Sequence, residues 1–329
     1  MTAPHSSPHS ALGAVGAVGS ILVVGTSNID LTLSVAHLPA SGETVLGDLS
    51  TACGGKAANQ AVAAARLGAR VDLVSRVGTD EYGRRLLREL NREGVGTERV
   101  RRIEDGTSGM ALIMVDHEAQ TVIGVAEGVN RYMRADDLDG IPQLLDPATV
   151  VVAELGVPLA VIRRLGELRA RAGFTLILNP APVSAPLPED LWRAVDVLTP
   201  NATEAEVLTG LPITDDRSAL AAAARLCELG ARLAVVTLGA RGVAYCGNQG
   251  SGVRPAFSVA PVDTTAASDA FNAGLAVALL SGRRDAEALV YGQAVAALSV
   301  TRRGAQPSMP SAAETAEFLA SRTDVKEYA

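Results

Sequence analysis

The chain has few cysteines, no concentration of basic charge, and no charged and apolar leader at its amino end. Cys53, Cys227 and Cys246 are its three cysteines in 329 residues. They are too scattered for a disulfide framework, and no CxxC or Cys/His pairing offers the spacing of a zinc site. What remains is three buried or idle thiols in a reducing compartment. Formal charge is −7, with 29 Lys and Arg spread along the chain, so there is no electrostatic footprint for nucleic acid. Residues 1–20, MTAPHSSPHSALGAVGAVGS, lack a Lys/Arg n-region and a long apolar h-region, and so do not read as a signal peptide. They are expected to form a flexible tail, with His5 and His9 incidental, on a cytoplasmic protein without a membrane partner.

With 48% hydrophobic residues, a chain of this length can bury one large α/β domain or two small ones. ILVVGTSNIDLTLSV (21–35) opens as a β-branched strand and falls onto small and polar residues. GGKAANQAVAAARLGA (54–69) sets a Gly pair ahead of good helix formers, and VDLVSRVG is the next strand. GMALIMVDHEAQTVIGV (109–125) carries two apolar runs around a polar DHEAQ, the pattern of a β-hairpin. With residues around 34–49 it should form a small β excursion over one edge. From 150 onward VVVAEL, TLILNP, VDVLTP and LAVVTLG alternate with helical stretches. That alternation predicts a doubly wound, mostly parallel sheet, in which ligands bind beyond the carboxyl ends of the strands. Asn28, Asp30, Glu154, Asn179, Asn201, Glu204, Thr237, Gly239 and the stretch 263–269 follow those ends and are expected to share one site.

VDTTAASDAFNAGLAVALLSG (262–282) passes through small residues into a helix. A helix that begins near Asp269 offers unpaired N–H groups and the positive end of its dipole to an anion. A carboxylate there can take a proton from a hydroxyl while the N–H groups hold a phosphoryl group. Asp is also a favoured N-cap, and capping alone accounts equally well for this residue. In GGKAAN, Gly54 and Gly55 permit a close approach, and Lys56 and Asn59 can reach polar groups at the start of a helix. PNATE around Asn201 and Glu204 is a good capping sequence in its own right.

Taken together, GTSNID, PASGET, GGKAANQAVAAARLGA, LNPAP, VDVLTPNATEAEVLTG, VTLGARGV, VDTTAASDAFNAGLAVALL and VTRRGAQPSMP occur in an order and spacing that resembles the ribokinase-like carbohydrate kinase superfamily, from about residue 20 to 310. The resemblance implies a three-layer α/β/α sandwich with a mostly parallel central sheet and a small β-sheet lid. The main domain would comprise 21–33, 50–98 and 128–312, the lid 34–49 and 99–127, and a C-terminal helix and tail 313–329. It also implies ATP-dependent phosphorylation of the 5-hydroxyl of D-ribose to D-ribose 5-phosphate, with Mg²⁺, activation by K⁺, and a homodimer paired through the lid. Asp269 then matches the catalytic base, and Ala266, Ala267 and Ser268 the anion hole. Asn28, Asp30, Gly55, Lys56 and Asn59, together with Asp269 itself, match sugar-binding positions. Asn201, Glu204, Thr237, Gly239 and Gln293 match the ATP site, and Asp263, Thr265, Ser299, Arg302, Gly304 and Ser308 the K⁺ site.

Two positions depart from the superfamily pattern. Ser268 stands where glycine usually precedes the base; serine crowds the site if the backbone there needs a positive φ and fits if φ is negative. Gly156 stands where a glutamate usually meets the sugar, with Glu154 two residues early on the same face of its strand. These departures motivate the alternatives of a kinase for another pentose, deoxyribose or a nucleoside, and of a catalytically impaired sugar-binding protein.

Overall fold

The computed structural model describes residues 19–118 and 120–322; most of the expected amino-terminal tail and the end of the carboxyl-terminal one lie outside them. The strands are β1 Ser20–Val24, β2 Asn28–Val35, β3 Gly47–Gly54, β4 Val71–Gly78, β5 Val100–Ile103, β6 Gly109–Val115, β7 Thr121–Ala126, β8 Thr149–Glu154, β9 Thr175–Asn179, β10 Val197–Leu198, β11 Leu233–Thr237, β12 Val243–Gly247 and β13 Gly250–Arg254. The helices are α1 Lys56–Arg66, α2 Glu81–Arg92, α3 Leu159–Ala172, α4 Glu189–Trp192, α5 Ala202–Thr209, α6 Asp216–Leu229, α7 Ala267–Leu280, α8 Asp285–Ser299 and α9 Ala312–Ala320.

Nine strands make one sheet in the order β13-β12-β11-β10-β9-β8-β1-β4-β5. It is parallel from β11 to β5 and closes with the antiparallel hairpin β12–β13. Period-two alternation distributes apolar side chains to both faces, as a covered parallel sheet requires. In β1, Ile21 and Val23 enter the core under α1, α2, α7 and α8, whereas Leu22 and Val24 enter the one under α3, α5 and α6. This is the expected α/β/α sandwich. The hairpin β12–β13, which the sequence reading did not identify, extends its edge.

The second sheet has the order β3-β2-β6-β7. Its β6–β7 pair is the hairpin expected at 109–125. The single apolar run at 21–35 divides at Gly25–Ser27, so that β1 enters the large sheet and β2 the small one. The small sheet reaches further inward than 34–49, because Ile29 at the start of β2 is buried in the main core. In contrast, β5, expected within the lid, pairs with β4 in the large sheet. Val100 is buried there while Arg101 and Arg102 face solvent, the pattern of an edge strand.

Candidate active site

The chain reaches α7 through Ala266, whose backbone is left-handed at φ 60° and ψ 18°. For a residue with a Cβ this conformation costs about 1–2 kcal/mol. The N–H of Ala267 donates to the Thr264 carbonyl at 3.2 Å, and Ala270 makes the first bond of the helical type, to Ala266, at 2.9 Å. The amides of Ser268 and Asp269 precede that bond and lie in the helix turn that lacks intrahelical partners. Of the three residues matched to an anion hole, Ala266 therefore turns the chain, Ala267 spends its amide on the turn, and Ser268 presents its own. Ser268 is already helical, and Asp105 and Ala266 are the non-glycine residues with positive φ among those described. Serine thus sits at position 268 without backbone strain.

Asp269 is 3% exposed. Asn59 Nδ2 donates to its Oδ2 and Gln60 Nε2 to its Oδ1, each at 3.0 Å. Burial pushes the Asp269 carboxyl above the usual carboxylate range, opposed by the Lys56 charge and the two amides. One turn further along α7, Asn272 Nδ2 donates to the Ser268 carbonyl at 2.8 Å, and its Oδ1 accepts from Thr199 Oγ1 at 2.6 Å. This clamp ties the first turn of α7 to the end of β10.

The opposite wall is the start of α1. Gly55 has φ 91°, and a Cβ there would lie 2.6 Å from the Asn28 backbone nitrogen, so both conformation and space demand glycine. The positive charge of Lys56 opposes the effect of burial on Glu154, Glu204 and Asp269, carboxylates contributed by three separate elements. Asn28 and Asp30 project from one face of β2. The Asp30 carboxyl packs on the backbone of Gly54, where a Cβ would lie 2.1 Å from Oδ2. Burial, with the nearby Asp269 charge, raises it to about 6. Asn28 Oδ1 accepts from Asn130 Nδ2 at 2.9 Å, and Asn130 also bonds the Ser27 and Glu127 backbone.

Glu154, at the end of β8, is fully buried and turns back toward the β1–β2 turn. Its Oε1 accepts from Thr26 N at 2.5 Å, and its Oε2 accepts from Gly156 N. A Cβ at Gly156 would lie 2.7 Å from Glu154 Oε2 and 2.7 Å from Thr26 Cγ2. With Glu154 so placed, a side chain at 156 has no room.

On the other side, Asn201 and Glu204 form a reciprocal capping box at the start of α5, each side chain accepting from the other's N–H at 2.9 Å. The local role anticipated for PNATE is thus realised, and each side chain retains a further polar atom. Burial raises the Glu204 carboxyl above its ordinary value. Thr237 lies beside Asn201 and donates its N–H to the Pro200 carbonyl at 2.9 Å, while Gly239 turns at φ 60°. Gln293, on α8, donates to the Pro255 carbonyl at 3.0 Å.

Asp263 joins two loops: Oδ1 accepts from the Thr265 amide at 2.9 Å and hydroxyl at 2.6 Å, and Oδ2 accepts from Gly304 N at 2.8 Å. Ser299 and Ser308 are buried, with hydroxyls donating to the carbonyls of Ala296 and Ala305. The Arg302 side chain turns to Glu314 at 2.6 Å. Backbone carbonyls of two adjoining loops suit a weakly charged cation, and among the described residues no cluster of three His, Cys, Asp or Glu offers a multidentate metal site.

Gln60, Asn130, Thr199 and Asn272 were not singled out from the sequence. Gln60, Thr199 and Asn272 lie within the quoted motifs and Asn130 outside them, and only the fold shows which polar atoms each one reaches.

The chain matches the pfkB family carbohydrate kinases over residues 18–312. It is 37% identical over 301 residues to a ribokinase of Haemophilus influenzae, covering 91% of this chain and 98% of that one. It is 33% identical over 300 residues to a deoxyribokinase of Salmonella typhi, covering 91% and 98% respectively. An Arabidopsis thaliana ribokinase solved with ribose and ATP superposes with a TM-score of 0.83 at 30% identity, over 92% of this chain and 98% of that one.

Proposed function

The chain belongs to the pfkB family of carbohydrate kinases, and on that footing we propose that it transfers the γ-phosphoryl group of ATP to the primary hydroxyl of D-ribose, giving D-ribose 5-phosphate. The observation that carries the reading is the position of Asp269, a buried carboxylate beside the unpaired amides that begin α7. In this reading Asp269 accepts the hydroxyl proton as the oxygen attacks the γ-phosphorus. The Ser268 and Asp269 amides hold the equatorial oxygens of the phosphoryl group in transit. Asn28, Asp30 and Asn59 take the sugar hydroxyls, and Lys56 balances the carboxylates and draws in the polyphosphate.

Asn201 and Glu204 would order the magnesium of the nucleotide through water, with Thr237, Gly239 and Gln293 lining the nucleotide side. Bound Mg²⁺ neutralises charge on the β- and γ-oxygens. The loops at 263–265 and 299–308 would hold K⁺ by their carbonyls, and Asp263 couples them to the turn that starts α7. The small sheet would close over the sugar and exclude water as a competing acceptor. We also assign it the subunit contact of a homodimer, since Leu49, Leu112 and Val122 share one of its faces and are exposed. No helix among the described residues is long and apolar enough to cross a membrane, and dependence on ATP together with free thiols supports the cytoplasm.

The test is steady-state ADP production with D-ribose, ATP, Mg²⁺ and K⁺. Turnover with kcat/KM higher for ribose than for 2-deoxyribose, other pentoses and nucleosides supports the assignment; a preference for any of those overturns it. Deoxyribose is the specific rival, because Glu154 is engaged with backbone amides and Gly156 offers no side chain.

A further inference from the structure

We propose that Gln60 is a positioning residue, pinning Oδ1 of Asp269 so that Oδ2 is the oxygen that takes the proton. The inference rests on Asp269 being the base. Asn59 and Gln60 are consecutive on α1, yet both amides reach the same carboxylate, one to each oxygen at 3.0 Å. The side-chain torsion of an aspartate is broad when it has a single partner; two donors from one rigid helix fix its plane.

The two donors are not equivalent. Gln60 is fully buried, whereas Asn59 is 5% exposed and follows Lys56 and Gly55 along the wall of the site. The Asn59 amide can exchange Oδ2 for an incoming hydroxyl, while Gln60 holds Oδ1 from behind. Like Asn59 Oδ1, Gln60 Oε1 is buried without a partner among the described residues. Turning the amide over would set that oxygen against the carboxylate, so the donor orientation is dictated by Asp269. A methionine would fill the same space without an orphaned oxygen; the one hydrogen bond that distinguishes glutamine here is the bond to the base. The charges facing Asp269 are Lys56 from α1 and Asp30 from β2, and both remain when Gln60 is altered.

The experiment compares the full-length protein with its Gln60→Met, Gln60→Glu and Asp269→Asn forms in kcat, KM for sugar and ATP, and the pH profile of kcat, alongside melting curves. Gln60→Met is expected to lower kcat about tenfold, less than the roughly 10²- to 10⁴-fold worth of the base it positions, with both KM values nearly constant. Its acid limb moves to higher pH, because the lost amide favoured the ionised carboxylate. The nearly isosteric Gln60→Glu moves the limb further, since two adjacent carboxyls share a proton. An unchanged kcat in Gln60→Met, or a loss equal at every pH together with a lower melting temperature, overturns the proposal; if that form does not fold, an unmoved limb in Gln60→Glu overturns it. Retained turnover in Asp269→Asn refutes the base itself, a failure distinct from that of Gln60.

Discussion

Asp30 on the small sheet and Asp269 at the head of α7 lie close enough to interact, and burial, helped by the charge of Asp269, raises Asp30 from 3.8 to about 6. As the folded value exceeds the unfolded one, the native state binds the proton more tightly between those limits. The stability contributed by Asp30 is therefore fully present below 3.8 and is lost as pH rises through about 6. Sugar binding runs the other way, because the ionised carboxylate is the better acceptor. KM for the sugar should rise as pH falls below about 6, with KM for ATP unaffected. Asp30→Asn should raise the sugar KM above about pH 6, where the parent carboxylate is ionised, and flatten that dependence; a persistent dependence would assign it to another group.

Asp269→Asn should lower kcat by about 10²- to 10⁴-fold, the usual worth of a general base, with little change in ATP affinity. Turnover and nucleotide binding by calorimetry, measured on the same preparation, separate the two effects.

Gly156→Ala drives a methyl group against Glu154 and Thr26, and Glu154 cannot swing aside without releasing two backbone amides. A loss of about 1–3 kcal/mol is expected, measured by denaturant unfolding. Glu154→Ala combined with Gly156→Ala should cost less than the two single changes summed, as contacting residues are non-additive. Simple additivity would mean that the two sites do not share this space.

Ala266 and Ser268 should respond oppositely to glycine. Ala266→Gly relieves about 1–2 kcal/mol of left-handed strain against about 0.4–1 kcal/mol of added chain entropy, and should stabilise slightly. Ser268→Gly lies within the helix and should destabilise by about 0.5 kcal/mol with turnover retained. A large gain in kcat in Ser268→Gly would show that the serine side chain obstructs the phosphoryl group.

Leu112 is 54% exposed on the face of the small sheet that it shares with Leu49 and Val122. Leu112→Asp should convert a dimer into a monomer by light scattering without altering its fold, as judged by circular dichroism. A monomeric parent protein would remove the basis for a subunit contact there.

Several parts of this molecule were legible in the residues. β1, β8, β9 and β11 are continuous apolar runs, and the Ala-rich stretch after Gly55 has one helical solution, so a parallel α/β sheet followed from local composition. The place of β5 did not, because four residues with two arginines carry too little pattern to name a partner strand. Asp269 could be located from sequence but read equally as a cap; its burial and the two amides that hold it depend on α1 packing against α7. Gly156 marked a departure without explaining it. The run GTSNID, by contrast, determined a strand end and a turn, and only the packing of β8 beside β1 decided that Glu154 fills that turn. Local sequence thus sets strands, helices and caps through short-range sterics. Which carboxylates lie together, and which amides fix them, is decided by contacts between residues as far apart as Gln60 and Asp269, and these exist only after the layers have closed.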